Sequence, residues 1–206
     1  SGLSGSARHR NANQSGCVTV RTLDRYALPP LRHARIRITM NVVLIGARGT
    51  GKSAVAKELA AILKRDAISS DAEIVRRIGM PIKDYVDAHG WDAFRAVESE
   101  VVAELSARDG IVIDTGGGAV TRPQNIEALR SNGTIFWLQA SVETILSRIQ
   151  HDTNRPSLTG TKSFTEEIAE VLAARTPLYT QAAHHTVTTD ARTPRQIAEN
   201  IAATIQ

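Results

Sequence analysis

The chain has 206 residues, of which 42% are hydrophobic and 22% charged, and this composition is typical of one globular domain with a sizeable core. Its single cysteine, Cys17, excludes an intramolecular disulfide framework and a multi-cysteine zinc site, and it fits a reducing, cytoplasmic location. No apolar stretch approaches the ~20 residues that a membrane-spanning helix needs, so no membrane partner is expected.

The formal net charge of +4 is unevenly divided along the chain. Residues 1–39 contain seven arginines against one acidic residue, which gives +6 and leaves 18 basic against 20 acidic residues, or −2, beyond them. Because nucleic-acid binding draws most of its strength from a basic surface, we expect no nucleic-acid partner for the larger part of the chain.

The N-terminal segment, residues 1–39, is rich in Ser, Arg, Asn and His and lacks a sustained apolar period. Its Arg-rich, acid-poor composition could mark an organelle transit peptide or a nucleic-acid-binding arm. We favour a basic, irregular extension, because Met40 directly precedes the first predicted strand and would make a natural start. The folded domain is therefore predicted at residues 40–206.

The first predicted element, Asn41–Ile45, is a short apolar run rich in β-branched residues, as expected of a parallel strand buried on both faces. Residues 46–53, GARGTGKS, then match the phosphate-binding pattern G-x-x-x-x-G-K-[ST], and residues 54–63 show helical apolar spacing. The glycines let backbone N–H groups surround phosphates. Lys52 would follow the transferring phosphoryl group and Ser53 would hold a magnesium ion, so the sequence predicts a nucleoside triphosphate ligand.

Strand-like and helix-like segments alternate further along the chain. Strands are predicted at residues 66–69, 111–114, 134–138 and 185–189. This alternation indicates an α/β protein with right-handed crossovers and a central parallel sheet covered on both faces. Ligands should bind at the carboxyl ends of the strands.

Polar and glycine residues follow the second and third predicted strands. Residues 69–71 read Ser-Ser-Asp, and Asp114 is followed by Thr and three glycines at 116–118, which permit close approach of the backbone to a ligand. Between these strands, Arg95 and Glu98 are three residues apart and share a helix face. Taken alone, such a pair is more often a solvated surface pair.

Two further signals lie in the last third of the chain. Residues 152–160 are polar, proline-broken and glycine-ended, and they follow a predicted helix at 142–149. They predict a lid, at about 151–164, that brings Arg155 over the phosphates and excludes water. Residues 175–179, Arg-Thr-Pro-Leu-Tyr, are predicted to end another helix at a basic residue followed by a proline stop.

Together these motifs resemble the shikimate kinase family, in that family's order and approximate spacing over residues 40–206. The matching residues are 46–53, Ser70-Asp71, Phe94-Arg95 with Glu98, 116–118, Arg155-Pro156 and Arg175 with 177–179. The resemblance implies a nucleoside-monophosphate-kinase-like α/β/α fold with five parallel strands ordered 2-3-1-4-5. It also implies transfer of the ATP γ-phosphate to the 3-hydroxyl of shikimate with Mg²⁺, in aromatic amino-acid biosynthesis, and we expect a monomer.

The resemblance further implies a role for each matching residue. The catalytic residues would be Lys52, Asp71 and Arg155. ATP would be bound by Gly49, Thr50, Gly51, Lys52, Ser53, Arg148, Arg155 and Pro194. Shikimate would be bound by Asp71, Arg95, Glu98, Gly117, Gly118 and Arg175. In this set Asp71 is the base or orienting group for the reacting hydroxyl, the two arginines clamp the carboxylate, and Glu98 orients Arg95.

One position departs from the family pattern. The family commonly shows Asp-x-Asp after the second strand, whose first carboxylate supports magnesium through water, and here that residue is Ser69. We expect Asp114 to take this role, because P-loop NTPases generally keep a metal-supporting aspartate there. Ser69 would contribute weakly through a water, and Ser53 would be the direct ligand. Alternatively, Asp114 only accepts backbone N–H bonds in the glycine turn.

Two other functions stay open on the residues alone. One is a non-catalytic homologue that binds ATP or shikimate, and the other is a kinase of another small polyol acid such as gluconate or quinate. Presence of Lys52, Ser53, Asp71, Arg95 and Arg175 together favours activity. The complete glycine triad and the Phe94-Arg95 context favour shikimate.

Overall fold

The computed structural model describes residues 40–149 and 164–205. The predictions for residues 1–39 and for Arg155 in the lid lie outside this part. The strands are β1 (Asn41–Ile45), β2 (Ala67–Ser69), β3 (Val112–Asp114), β4 (Gly133–Gln139) and β5 (His185–Thr188). The helices are α1 (Lys52–Leu63), α2 (Ser70–Ile78), α3 (Ile82–Ser106), α4 (Pro123–Ser131), α5 (Val142–Ile149), α6 (Phe164–Ala182) and α7 (Pro194–Ile205).

The strands form one parallel sheet in the order β2-β3-β1-β4-β5. The predicted order 2-3-1-4-5 is confirmed, and each predicted strand end lies within one residue of the observed end. Because all strands run the same way, their carboxyl ends share one edge of the sheet. Residues 46–53, 69–71 and 114–118 all follow strands at this edge.

Helices cover both faces of the sheet, as predicted for three layers. Successive β1 side chains point to opposite faces. Val43 and Ile45 pack among buried side chains of α2, α3, α4 and α6. Val42 and Leu44 pack among those of α1 and α7. The strand that leads into residues 46–53 is therefore fully enclosed, which gives the loop a rigid base.

Two helices depart from simple expectation. Gly90 divides α3 into two halves, with φ of 82° and ψ of 168° that no helix adopts. Helix α6 continues through Pro177 to Ala182, so the helix end predicted at 175–179 is wrong. An internal proline costs about 3 kcal/mol, but Tyr179 and Ala182 in the next turns are buried in the core. This burial depends on β4 and cannot be read from the local sequence.

Among the described helices, none combines the length and apolar character needed to cross a membrane.

Candidate active site

The loop at residues 46–53 packs so closely against its surroundings that two of its positions have no room for a side chain, and both are glycine. A methyl group on Gly46 would lie 2.5 Å from the Leu138 carbonyl oxygen, and one on Gly49 would lie 2.8 Å from Cγ2 of Ile149. Both glycines also have positive φ, 144° and 81°. The loop is thereby pressed against β4 and α5, with α1 beginning immediately after Gly51.

Lys52 begins α1 and folds back over its own loop. Its Nζ donates to the carbonyl oxygens of Gly46 at 2.9 Å and Ala47 at 3.1 Å. The Thr50 hydroxyl donates to the same Ala47 oxygen at 2.8 Å. These contacts hold the Lys52 charge at the mouth of a phosphate-sized loop beside the N-terminus of a helix, an arrangement that attracts anions.

Ser53 and Asp114 meet at the base of this loop. The Ser53 hydroxyl donates to Oδ2 of Asp114 at 2.6 Å. Asp114 is the last residue of β3, is 6% exposed, and pairs in register with Ser69 at the end of β2. The Ser69 hydroxyl accepts from the Ala72 N–H at 3.4 Å and caps α2. Of the two polar side chains at this register position, Asp114 is the one bonded to the loop serine.

The loop and the ends of β2 and β3 surround one cleft of about 350 Å³. Its lining consists of Arg48, Gly49, Gly51, Lys52, Ser53, Ala54, Ser69, Asp71, Asp114, Thr115, Gly117, Arg148 and Ile149. Asp71, at the start of α2, thus faces the same space as Lys52. The cleft combines a phosphate-binding loop with a carboxylate that could accept a proton.

Arg95 and Glu98 form a buried ion pair beside the cleft. Nη1 of Arg95 lies 2.6 Å from Oε2 of Glu98, and the two side chains are only 13% and 1% exposed. The guanidinium also lies over the rings of Trp91 and Phe94, 5.3 and 5.1 Å from their centroids. Burial raises the pKa of Glu98, and the Arg95 charge opposes that rise. The alternative of a solvated surface pair is therefore wrong.

The three glycines after β3 are the point at which these groups converge. A methyl on Gly116 would lie 2.7 Å from Oδ1 of Asp71, and one on Gly118 would overlap the Arg95 guanidinium. The Gly117 carbonyl accepts from Nη1 of Arg175 at 3.3 Å. Side chains from α2, α3 and α6 therefore reach three consecutive residues, and at Gly116 and Gly118 an added side chain would collide with them.

Two hydroxyl groups that bind this glycine turn were not predicted as site residues. Oγ of Ser70 accepts from the Gly116 N–H at 2.9 Å, and the Tyr179 hydroxyl donates to the Gly117 carbonyl at 2.6 Å. Tyr179 lies four residues after Arg175, on the same helix face, and that spacing is the signal that could have found it.

The shikimate kinase family profile matches residues 48–206. The chain belongs to this family. A shikimate kinase from Nitratidesulfovibrio vulgaris is 43% identical over 153 residues, 73% of this chain and 87% of that protein. One from Halorhodospira halophila is 40% identical over 173 residues, 84% of this chain and 97% of that protein. The structure of shikimate kinase from Acinetobacter baumannii in complex with shikimate superposes with a TM-score of 0.78 at 36% identity. The match covers 81% of this chain and 93% of that chain.

The structure brings together most of the residues that were predicted for the site. Those that line the cleft or contact the glycine turn are Gly49, Gly51, Lys52, Ser53, Ser69, Asp71, Arg95, Asp114, Gly117, Arg148 and Arg175. Thr50 supports the loop through Ala47, Glu98 holds Arg95, and Gly118 lies under the Arg95 guanidinium.

Arg148 lines the cleft, whereas Pro194 is not part of its lining. Arg148 lies in the last turn of α5 and donates to the Gly49 carbonyl at 3.2 Å and to Oγ1 and O of Thr189 at 3.1 Å each. Its guanidinium thus joins the phosphate loop to the segment after β5. Pro194 begins α7 and is exposed, five positions beyond Thr189.

Proposed function

We propose that this chain transfers the γ-phosphate of ATP to the 3-hydroxyl of shikimate, giving shikimate 3-phosphate and ADP. The observation that carries the proposal is the meeting of two guanidinium groups at neighbouring glycines. Arg95 covers Gly118 and Arg175 donates to the Gly117 carbonyl, beside the phosphate loop. Two planar guanidinium forks at one place suit a single carboxylate, because paired N–H···O bonds fix its orientation as well as its charge.

Asp71 is assigned the proton of the reacting hydroxyl. Asp71 lines the same cleft as Lys52. When Arg95 and Arg175 bind the carboxylate of shikimate, the hydroxyl groups of shikimate are directed toward Asp71. The hydroxyl oxygen forms a bond to the γ-phosphorus while the bond from that phosphorus to the β–γ bridging oxygen breaks. The electron pair leaves with ADP, and the proton passes to the Asp71 carboxylate. Lys52 stabilises the charge on the transferring group.

The contact between Ser53 and Asp114 fits a magnesium site. Both side chains offer oxygen, and nucleotide-bound magnesium is commonly held by one or two carboxylates together with substrate phosphates. The ion, when bound, neutralises charge on the outer phosphates. Ser53 would be the direct ligand and Asp114 would hold a metal-bound water. Ser69 would contribute less, because its hydroxyl already accepts from the Ala72 N–H.

The remaining assignments rest on the family resemblance. The loop residues Gly49, Thr50 and Gly51 would bind the ATP phosphates, and Arg148 and Pro194 would flank the adenine. Arg155 would cover the transferring group. We also propose that the enzyme acts as a cytoplasmic monomer in chorismate biosynthesis, and the mass of the purified chain in solution tests the monomer.

A coupled assay of ADP release tests the function directly. Shikimate, quinate and gluconate are offered separately with ATP, each with and without magnesium. We expect ADP formation with shikimate and magnesium only. Turnover of quinate or gluconate in preference to shikimate would reassign the acceptor. ATP binding without turnover of any of the three would instead indicate a non-catalytic homologue.

A further inference from the structure

The peptide group between Gly117 and Gly118 is held from one side by α6. Its carbonyl oxygen accepts from the Tyr179 hydroxyl at 2.6 Å and from Nη1 of Arg175 at 3.3 Å. The tyrosine bond is the shorter and therefore the stronger of the two. Because the peptide is planar and trans, a carbonyl directed at α6 turns the Gly118 N–H to the opposite side.

Other groups of the turn are held as well. The Gly116 carbonyl accepts from the Ala119 N–H at 3.1 Å, and the Gly118 carbonyl accepts from the Thr121 N–H at 3.0 Å and its hydroxyl at 2.7 Å. Within the described residues, every carbonyl of the three glycines has a partner, whereas the N–H groups of Gly117 and Gly118 have none. Two backbone donors beside the phosphate loop therefore have no partner in the part of the chain that the structure describes.

The contribution of the Tyr179 hydroxyl can be tested separately from that of its ring. The ring is fully buried and stacks on Trp137, with centroids 5.7 Å apart and planes at 18°. A phenylalanine ring would keep this packing and lose only the bond to Gly117. Burial raises the pKa of Tyr179 to about 12, so the hydroxyl stays a hydrogen-bond donor throughout the neutral pH range.

We propose that Tyr179 is a positioning residue for phosphoryl transfer. Its hydroxyl holds the Gly117–Gly118 peptide so that the two glycine N–H groups face the ligands in the cleft. Because this bond secures the peptide, Arg175 is free to exchange its longer contact for the acceptor carboxylate, to which a charge-assisted bond is stronger. This inference rests on the proposed function, since it assumes an acceptor with a carboxylate.

The test compares Tyr179→Phe with Ser106→Ala. The control also removes one buried hydroxyl bond, from Ser106 to the Val102 carbonyl at 2.8 Å, at the end of α3 away from the cleft. Loss of one hydrogen bond should raise the shikimate KM of Tyr179→Phe by ~3- to 10-fold. The KM for ATP should stay within about twofold of wild type, and Ser106→Ala should change neither value.

A second measurement needs no substrate. Deuterium uptake by residues 115–121 should be faster in Tyr179→Phe than in wild type and unchanged in Ser106→Ala, because only the first variant releases the peptide. The proposal would be overturned if Tyr179→Phe left both the shikimate KM and the deuterium uptake unchanged. It would also be overturned if Tyr179→Phe raised the KM values for shikimate and ATP equally and Ser106→Ala did the same. A wild-type enzyme inactive with shikimate would refute the proposed function, while the uptake comparison would still decide the role of Tyr179.

Discussion

The two ends of the cleft are built in different ways. The phosphate end is one continuous segment, residues 46–53, which is held in part by its own contacts: Lys52 bonds two carbonyls of its own loop, and Thr50 bonds one of them. The end proposed to bind the acceptor is assembled from α2, α3 and α6, which contribute Asp71, Arg95 and Arg175. Local backbone geometry thus creates the first end, whereas the second exists only once three helices have packed together.

The glycine turn connects the two ends. Gly117 lines the phosphate cleft and accepts from Arg175, and its neighbour Gly118 lies under Arg95. Substitutions at the phosphate end should therefore reduce the rate with any acceptor. Substitutions at the acceptor end should change the KM for shikimate and leave that for ATP nearly constant.

The largest effect is expected from Lys52→Ala at the phosphate end. Loss of a preorganised charge that stabilises the transferring group should lower kcat by at least ~10²- to 10³-fold. Lys57→Ala, which removes an exposed lysine from the same helix, is the matched control. Steady-state kinetics and the melting temperature of both variants are measured. A Lys52→Ala enzyme that keeps its fold and its turnover would remove the phosphate loop from the mechanism.

At the acceptor end, Arg95→Lys should raise the shikimate KM while altering the ATP KM little. Lysine keeps the charge but loses the planar fork and its stacking on Trp91 and Phe94. A lost charge-assisted hydrogen bond costs about 1.5–3 kcal/mol, or a ~10- to 150-fold rise in KM. Arg122→Lys, in an exposed pair with Asp92, is the control. Equal rises in both KM values would mean that the two ends are not independent.

The magnesium assignment is tested by Asp114→Asn. A neutral amide supports a hydrated cation poorly, so the magnesium concentration for half-maximal rate should rise by ~10- to 100-fold. Binding of a fluorescent ATP analogue, titrated with magnesium, gives a readout independent of turnover. Ser69→Ala should have the smaller effect, since a hydroxyl supplies at most one hydrogen bond to a metal-bound water.

A rescue variant sharpens this test. Ser69 and Asp114 are register partners on adjacent strands, so Ser69→Asp in the Asp114→Asn background should restore part of the magnesium affinity. If Asp114→Asn lowers the melting temperature and leaves the magnesium dependence untouched, the carboxylate only braces the turn after β3.

The smallest expected effect is a pH dependence of stability that belongs to neither end. Nδ1 of His184 accepts from the Ile135 N–H at 2.9 Å, and burial, with the Arg130 charge, lowers the pKa of His184. The unfolded chain takes up this proton near pH 6.5 and the folded chain only at lower pH. The stabilisation is therefore present above pH 6.5 and is lost as the pH falls toward the folded-state pKa.

Urea unfolding at pH 7.5 and 5.5 measures this loss. His184→Asn offers an acceptor oxygen that does not titrate, so its stability should fall less between the two pH values than that of wild type. The control His89→Gln removes an exposed imidazole from α3. If the stability of His184→Asn falls as much as that of wild type between pH 7.5 and 5.5, the titrating group is not His184.

Sequence alone determined the features that depend on residues close together in the chain. Buried parallel strands show as apolar runs, and the phosphate loop shows as a fixed spacing of glycines, Lys52 and Ser53, because each is formed by contiguous backbone. The resemblance added the strand order, which is confirmed, and the acceptor residues, which stay a prediction. The continuation of α6 past Pro177 was missed, since the burial that offsets the proline involves a strand some forty residues away in the chain.

Tertiary structure decided what the remaining residues do. Whether Arg95 and Glu98 are solvated or buried depends on the packing of α3 against the glycine turn, and helical spacing is the same in both cases. Asp114 meets Ser53 only because β3 lies beside β1 in the sheet. Tyr179 reaches the Gly117 carbonyl only because α6 packs against the segment that follows β3. Contacts between residues about 60 positions apart leave no periodic trace in a single sequence, so they are settled by folding.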